Sequence, residues 1–159
     1  MTSDERQVQR DEQATIPDQM RAEHARLEAL LAGMSDEELV RPEAFGAWSV
    51  KDMLAHITFW EQRVIAYSDG AKESLVGPDE DEQAAVDRIN AEVLAANREQ
   101  PLAEVRADFE RSYQQVLRLA ESLSADDLAD DVLYSLFAGD TFEHYREHIE
   151  MLENGQHKE

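Results

Sequence analysis

His144 and His148 stand four residues apart in Thr-Phe-Glu-His-Tyr-Arg-Glu-His-Ile, residues 141–149. On a helix both imidazoles would leave one face, one turn apart, where they can grip a single metal ion. A further histidine, His56, lies far upstream in Trp-Ser-Val-Lys-Asp-Met-Leu-Ala-His-Ile, residues 48–57. Three histidines on two helices would make an open site, with a fourth position left to water or substrate. An ion held there would lower the pKa of bound water or polarise a substrate oxygen or thiol. The competing reading leaves His144 and His148 as a solvated pair among Glu143, Arg146 and Glu147. Tyr145 and Leu152 favour the first, because they put His148 on the apolar side of the helix.

The other candidates are weaker. His24 has no partner at ligand spacing and reads as a core or pocket-lining residue. His157 falls in the tail and reads as exposed. His144-Tyr-Arg-Glu-His148 also fits His-x-x-Glu-His, the inverted zinc-protease motif, in which a distant downstream acid completes the site. Only 11 residues follow His148, so that arrangement has no room, and Glu147 reads as a solvated helix charge. Trp60, four residues after His56, would wall the cavity beside the metal. Asn90 is unusual on an apolar face, where it would line a pocket or bond a neighbouring backbone group. Trp60 and Asn90 are therefore the candidate substrate-binding residues. Trp48 reads as core or pocket wall. Asp126-Asp127 and Asp130-Asp131 read as loop acids, since no glycine-containing calcium loop surrounds them.

The elements that must carry these residues are helical. Glycine (6) and proline (4) are scarce, and β-branched and aromatic residues nowhere alternate as in a strand. A first helix is expected from Pro17, with a stripe of Met20, His24, Leu27, Leu31 and Met34, closing at Gly33 and Ser35. Ser35 to Glu38 has the form of a capping box and opens a short turn. Ser49 is a candidate cap for a long second helix, whose stripe is Val50, Met53, Leu54, Ile57, Trp60 and Val64. Residues 70–82 read as a loop. A helix over about 83–98 follows, with Val86, Ile89, Asn90, Val93 and Leu94. Pro101 opens the next, with Val105, Phe109, Ser112, Val116, Leu119 and Leu123. Ser124 starts another short turn, and the last helix begins after Gly139-Asp140, where Asp140 or Thr141 can cap it. The expected fold class is all-α. Four helices of bundle length emerge, with a long helix-containing crossover between the second and third. Residues 1–15 read as a disordered extension, 16–154 as the domain and 155–159 as a tail.

Composition bounds the chemistry. The 159 residues contain no cysteine, which excludes a thiolate ligand, an Fe–S cluster and a cysteine nucleophile. Any metal must use nitrogen and oxygen ligands. The net charge is −21, from 36 acids against 15 bases, of which only Lys51, Lys72 and Lys158 are lysines. Such a field repels nucleic acid and anionic membranes. An acidic, lysine-poor surface serves solubility, or adaptation to high intracellular salt. No signal peptide or span-length apolar stretch is present, so a soluble cytoplasmic protein is expected.

The segment Trp48-Ser-Val-Lys-Asp-Met-Leu-Ala-His56-Ile-Thr-Phe-Trp60-Glu, with Glu143-His144-Tyr-Arg-Glu-His148, resembles the DinB-like superfamily of small helical proteins. Asp87-Arg-Ile-Asn90, Asn97-Arg98, Pro101-Leu and Glu104-Val resemble its ClbS/DfsB-type branch, and the likeness runs over about residues 17–153. It implies a four-helix bundle of up-down-down-up topology, often dimeric. It also implies a three-histidine site for nickel, zinc or another divalent ion, whose ligands by position are His56, His144 and His148. Activities in the superfamily include transfer to low-molecular-weight thiols such as bacillithiol, mycothiol or glutathione, and metal-dependent hydrolysis or isomerisation. The branch includes a resistance protein that opens an electrophilic cyclopropane, and its members need not carry the full triad. The resemblance therefore implies a metal-dependent hydrolase or thiol S-transferase in detoxification or stress response. A non-catalytic protein that sequesters a small molecule, and a structural dimer with vestigial histidines, are the other readings.

Overall fold

In the computed structural model, residue 2 and residues 15–44 and 48–156 are described. The expected extension over 1–15 lies outside the described residues apart from Thr2 and Thr15, as does His157. Eight helices occur among the described residues: α1 (Ile16–Ala32), α2 (Asp36–Val40), α3 (Val50–Ser68), α4 (Glu82–Asn97), α5 (Leu102–Glu121), α6 (Ala125–Ala129), α7 (Asp131–Asp140) and α8 (Phe142–Gln156). The fold is all-α, as the composition and patterning imply.

The chain divides into two compact units. One comprises residues 34–114 and the other residues 1–33 with 115–159. In the unit of residues 34–114, Ser35 and Ser49 each open a helix with a capping box. The Ser49 hydroxyl accepts the Asp52 N–H at 3.0 Å, and Asp52 returns the bond to the Ser49 N–H at 2.9 Å. Two donors that the helix itself cannot satisfy are thereby paired. The cap fixes where α3 starts, and so which residues face inward: Val50, Met53, Leu54, Ile57, Trp60 and Val64 are all buried. Helix α3 packs on α2 and α4. Lys51, one of three lysines, donates to the carbonyls of Arg98 (2.9 Å) and Gln100 (2.7 Å) and ties the α4–α5 turn to the start of α3. In the connection before α4, the Arg88 guanidinium donates to the Glu80 carboxylate at 2.7 Å and to the Leu75 carbonyl at 2.9 Å.

The other unit is organised by α1 and α8, which pack together, and by α7 against α8. Thr15 caps α1, its hydroxyl accepting the Asp18 N–H at 3.2 Å, so ordered structure begins within the stretch read as an extension. The α1 face is Ile16, Met20, His24, Leu27 and Leu31, all buried, together with Glu23. Burial of the Glu23 carboxylate is compensated by two guanidinium groups: Arg26 at 2.9 Å on its own helix and Arg146 at 3.4 Å from α8. Helix α8 presents Tyr145, Ile149 and Leu152, each almost fully buried.

Three expectations are corrected. Asp131, read as a loop acid, opens a helix over Asp131–Asp140. The Asp130 carboxylate caps it, accepting from the Val132 and Leu133 N–H groups at 3.0 and 3.2 Å. Asp126 and Asp127 likewise sit in a short helix, with Asp127 closing the capping box of Ser124, because aspartate satisfies first-turn donors as readily as it makes loops. On α5 the stripe drifts: Tyr113, Leu117 and Ala120 are buried, while Leu119 and Leu123 are only half-buried. The buried face of α5 is broader than one stripe, and Leu123 lies beyond the end of the helix at Glu121.

Removing the Ser49 hydroxyl tests the cap. Ser49→Ala should cost about 1 kcal/mol, lowering the thermal midpoint by roughly 2–4 °C in a chain of this size. An unchanged midpoint in a calorimetric scan would show that the box does not hold α3.

Candidate metal centre

Helix α8 brings His144 and His148 together. Thr141 sits at the junction with α7: its hydroxyl donates to the Phe137 carbonyl at 2.6 Å and its own carbonyl accepts the Tyr145 N–H at 2.8 Å. With Tyr145 and Ile149 anchored in the core, the four-residue spacing puts both imidazoles on one side. Their Nε2 atoms approach to 3.0 Å, with ring centroids 4.6 Å apart and planes inclined by 69°. His148 is 6% exposed and His144 is half-buried. Glu143 and Glu147 point to solvent, which fits the reading of Glu147 as a helix charge.

The geometry suits a metal. Two nitrogens bound to one ion at roughly 2.0–2.1 Å, and subtending about 90–110° at it, would lie about 2.8–3.4 Å apart. In the metal-free protein the same approach is served by one ring donating N–H to the other. Both states need the two Nε2 atoms to face each other, so the pair is pre-organised for either.

His24 lies in the same unit and does not join this pair through a ligand nitrogen. It is buried on α1, edge-on to Tyr145 at 6.3 Å between centroids, with Glu28 at 3.6 Å from its Nε2. That is the environment of a core histidine.

His56 belongs to the other unit and is 8% exposed on α3. The side-chain oxygen of Asn90, on α4, lies 3.1 Å from His56 Nδ1. The same oxygen accepts the Trp60 indole N–H at 3.1 Å. Trp48 meets the imidazole edge-on at 4.8 Å between centroids, whereas the Trp60 ring is 6.4 Å away. So Trp60 and Asn90, singled out as substrate-binding candidates, are bonded to one another here. The nearer wall is Trp48, which the sequence marked as core or pocket wall without a helical spacing that sets it beside His56. The Arg63 guanidinium covers the Trp60 ring at 5.3 Å.

Burial pushes the His56 pKa down from 6.5 to about 4, against the opposing effect of its hydrogen bond to Asn90. His56 is therefore neutral at physiological pH and keeps a lone pair, as a metal ligand must.

A cleft of about 560 Å³ also opens in the unit of residues 34–114. Ala55 and Phe59 of α3, Ile89 and Val93 of α4 and Val105 of α5 line it, with Arg88 and Asp108 among its charged residues. Sequence periodicity marks such residues as inward-facing and cannot tell a packed core from a cleft.

An all-α protein with a histidine pair on its last helix and a buried, neutral histidine on its second long helix is thus defined. The family model of the DinB superfamily matches residues 19–153, and the chain belongs to that superfamily. No curated protein and no solved structure matches the chain. Among the described residues, no helix is long and apolar enough to cross a membrane.

The neutral state of His56 has a thermodynamic consequence. In the unfolded chain it titrates near 6.5, so between pH 6.5 and 4 the unfolded state takes up a proton that the folded state refuses. Stability present above pH 6.5 is lost as the pH falls towards 4, by a few kcal/mol at most. In EDTA-treated protein, urea unfolding at pH 7.5 and 4.5 should show a larger acid loss for wild type than for His56→Gln. Equal losses would mean that His56 is not held neutral.

Proposed function

We propose that His56, His144 and His148 hold one divalent metal ion, nickel or zinc, and that the protein is a metal-dependent enzyme acting on small molecules. The observation that carries this reading is the 3.0 Å approach of the His144 and His148 Nε2 atoms. Membership of the DinB superfamily, and the one imidazole nitrogen that each of the three histidines offers, support it. All three ligands would be neutral nitrogen donors, a set that suits zinc or nickel better than calcium or magnesium.

When bound, such an ion supplies Lewis acidity, making a water or a small thiol nucleophilic at neutral pH. The chain's own residues do the rest. Tyr145 and Ile149 anchor the helix that aims His144 and His148, and Asn90 holds the His56 ring. The absence of cysteine means that a thiol nucleophile would have to come as a small cosubstrate. The reaction class we favour is therefore attack by water or a low-molecular-weight thiol on an electrophilic small molecule, as in detoxification. The up-down-down-up bundle is the arrangement of bundle helices that accompanies this reading.

The second reading, a protein that sequesters a small molecule without turning it over, draws on the cleft at residues 34–114. Its volume lies within the range of ligand pockets, and its lining is mainly apolar.

Metal analysis of protein purified without a histidine tag tests the proposal. About one ion per chain is expected, lost on His148→Ala or His56→Ala and retained on His24→Ala. Substoichiometric metal that His148→Ala leaves unchanged would overturn it. With metal present, turnover of electrophiles in the presence of small thiols separates the enzyme from the sequestering protein.

A further inference from the structure

The Asn90 side-chain oxygen has two neighbours at equal distance, Trp60 Nε1 and His56 Nδ1, both at 3.1 Å. An indole N–H is only ever a donor. The Asn90 atom it addresses must therefore be the carbonyl oxygen and not the amide nitrogen, which settles the orientation of the amide on chemical grounds. An oxygen fixed in that place can only accept. His56 Nδ1 faces it, so Nδ1 must carry the ring proton; the other tautomer would set lone pair against lone pair at 3.1 Å in a buried site. A neutral imidazole protonated on Nδ1 carries its lone pair on Nε2.

We infer that Trp60 and Asn90 form a relay that selects the Nδ1–H tautomer of His56, so that Nε2 is its sole electron-pair donor and Asn90 is a positioning residue for that nitrogen. The three residues come from two helices, α3 and α4, and the relay gives a specific task to the polar residue on the otherwise apolar α4 face. Trp60 matters through its N–H: it keeps the Asn90 amide from turning its NH₂ toward the histidine. The tautomer itself needs no metal, whereas its value for metal binding rests on the function proposed above. Outer partners of this kind orient ligating histidines, and losing one typically weakens metal affinity about 10–100-fold.

The test is long-range ¹H–¹⁵N NMR of ¹⁵N-histidine-labelled protein in EDTA at pH 7.5, with His56 assigned by its loss in His56→Gln. In wild type, His56 Nδ1 should resonate as a protonated, pyrrole-type nitrogen and Nε2 as a pyridine-type one. Asn90→Ala and Trp60→Phe should each shift the ring towards a mixture of tautomers, with the circular dichroism spectrum retained. Asn90→Asp, which keeps an acceptor in place, should restore the proton on Nδ1. Zinc titrations should show about 10–100-fold weaker binding for Asn90→Ala and recovery in Asn90→Asp. A wild-type His56 protonated on Nε2 would overturn the relay, as would a tautomer unmoved in both Asn90→Ala and Trp60→Phe. If Asn90→Ala does not fold, Trp60→Phe alone decides between these outcomes. Wild-type protein that binds no metal yet shows the Nδ1–H form would defeat the metal proposal and leave the relay standing.

Discussion

A buried imidazole has to be neutral, and a neutral imidazole has to be told which nitrogen keeps its proton. Burial meets the first requirement at His56, against the opposing pull of its hydrogen bond to the Asn90 oxygen, and that bond meets the second. Moving a charged ring out of water is costly, and a hydrogen-bonded neutral ring avoids most of that cost. The carbonyl of an amide accepts one proton firmly without adding a negative charge that would favour the imidazolium. The rest of the candidate centre depends on this choice, because a ligand nitrogen must present a lone pair in a fixed direction.

The helices exist to hold such directions. The Ser49 capping box sets the start of α3, and with it the angular position of His56 and Trp60 seven and eleven residues later. On α8, Tyr145 and Ile149 act as the fixed points beside which His144 and His148 project. The Glu23–Arg146 contact joins α8 to α1, and the core stripe of α1 supplies the apolar surface on which that face rests. Sites carried on helices with buried anchors are held more tightly than sites on loops, which matters where two nitrogens must meet at 3.0 Å.

Much of this was legible in the sequence, for reasons that can be named. The Ser35 and Ser49 boxes, the Pro17 and Pro101 starts and the four-residue spacing of His144 and His148 are local signals, and local signals survive folding. Where the sequence misled, the cause was also physical. Aspartate is as much at home on a first helical turn as in a loop, so Asp130 hid the start of α7. The α5 stripe was carried past the end of the helix at Glu121, and the buried face is broader than that one stripe. Trp48 beside His56, and the shared Asn90 oxygen, depend on how α3 meets its neighbours, and no spacing within one helix encodes that. The ligand set was reached from the His144–His148 spacing, from His56 on another helix and from resemblance to the superfamily to which the chain belongs.

X-ray absorption spectroscopy of zinc- or nickel-loaded protein addresses the central claim most directly. For zinc the account predicts a first shell of light atoms at about 2.0–2.1 Å, with the outer-shell scattering of three imidazole rings, one of which disappears in His56→Ala. A shell dominated by oxygen, or a ring count that His56→Ala leaves unaltered, would contradict it.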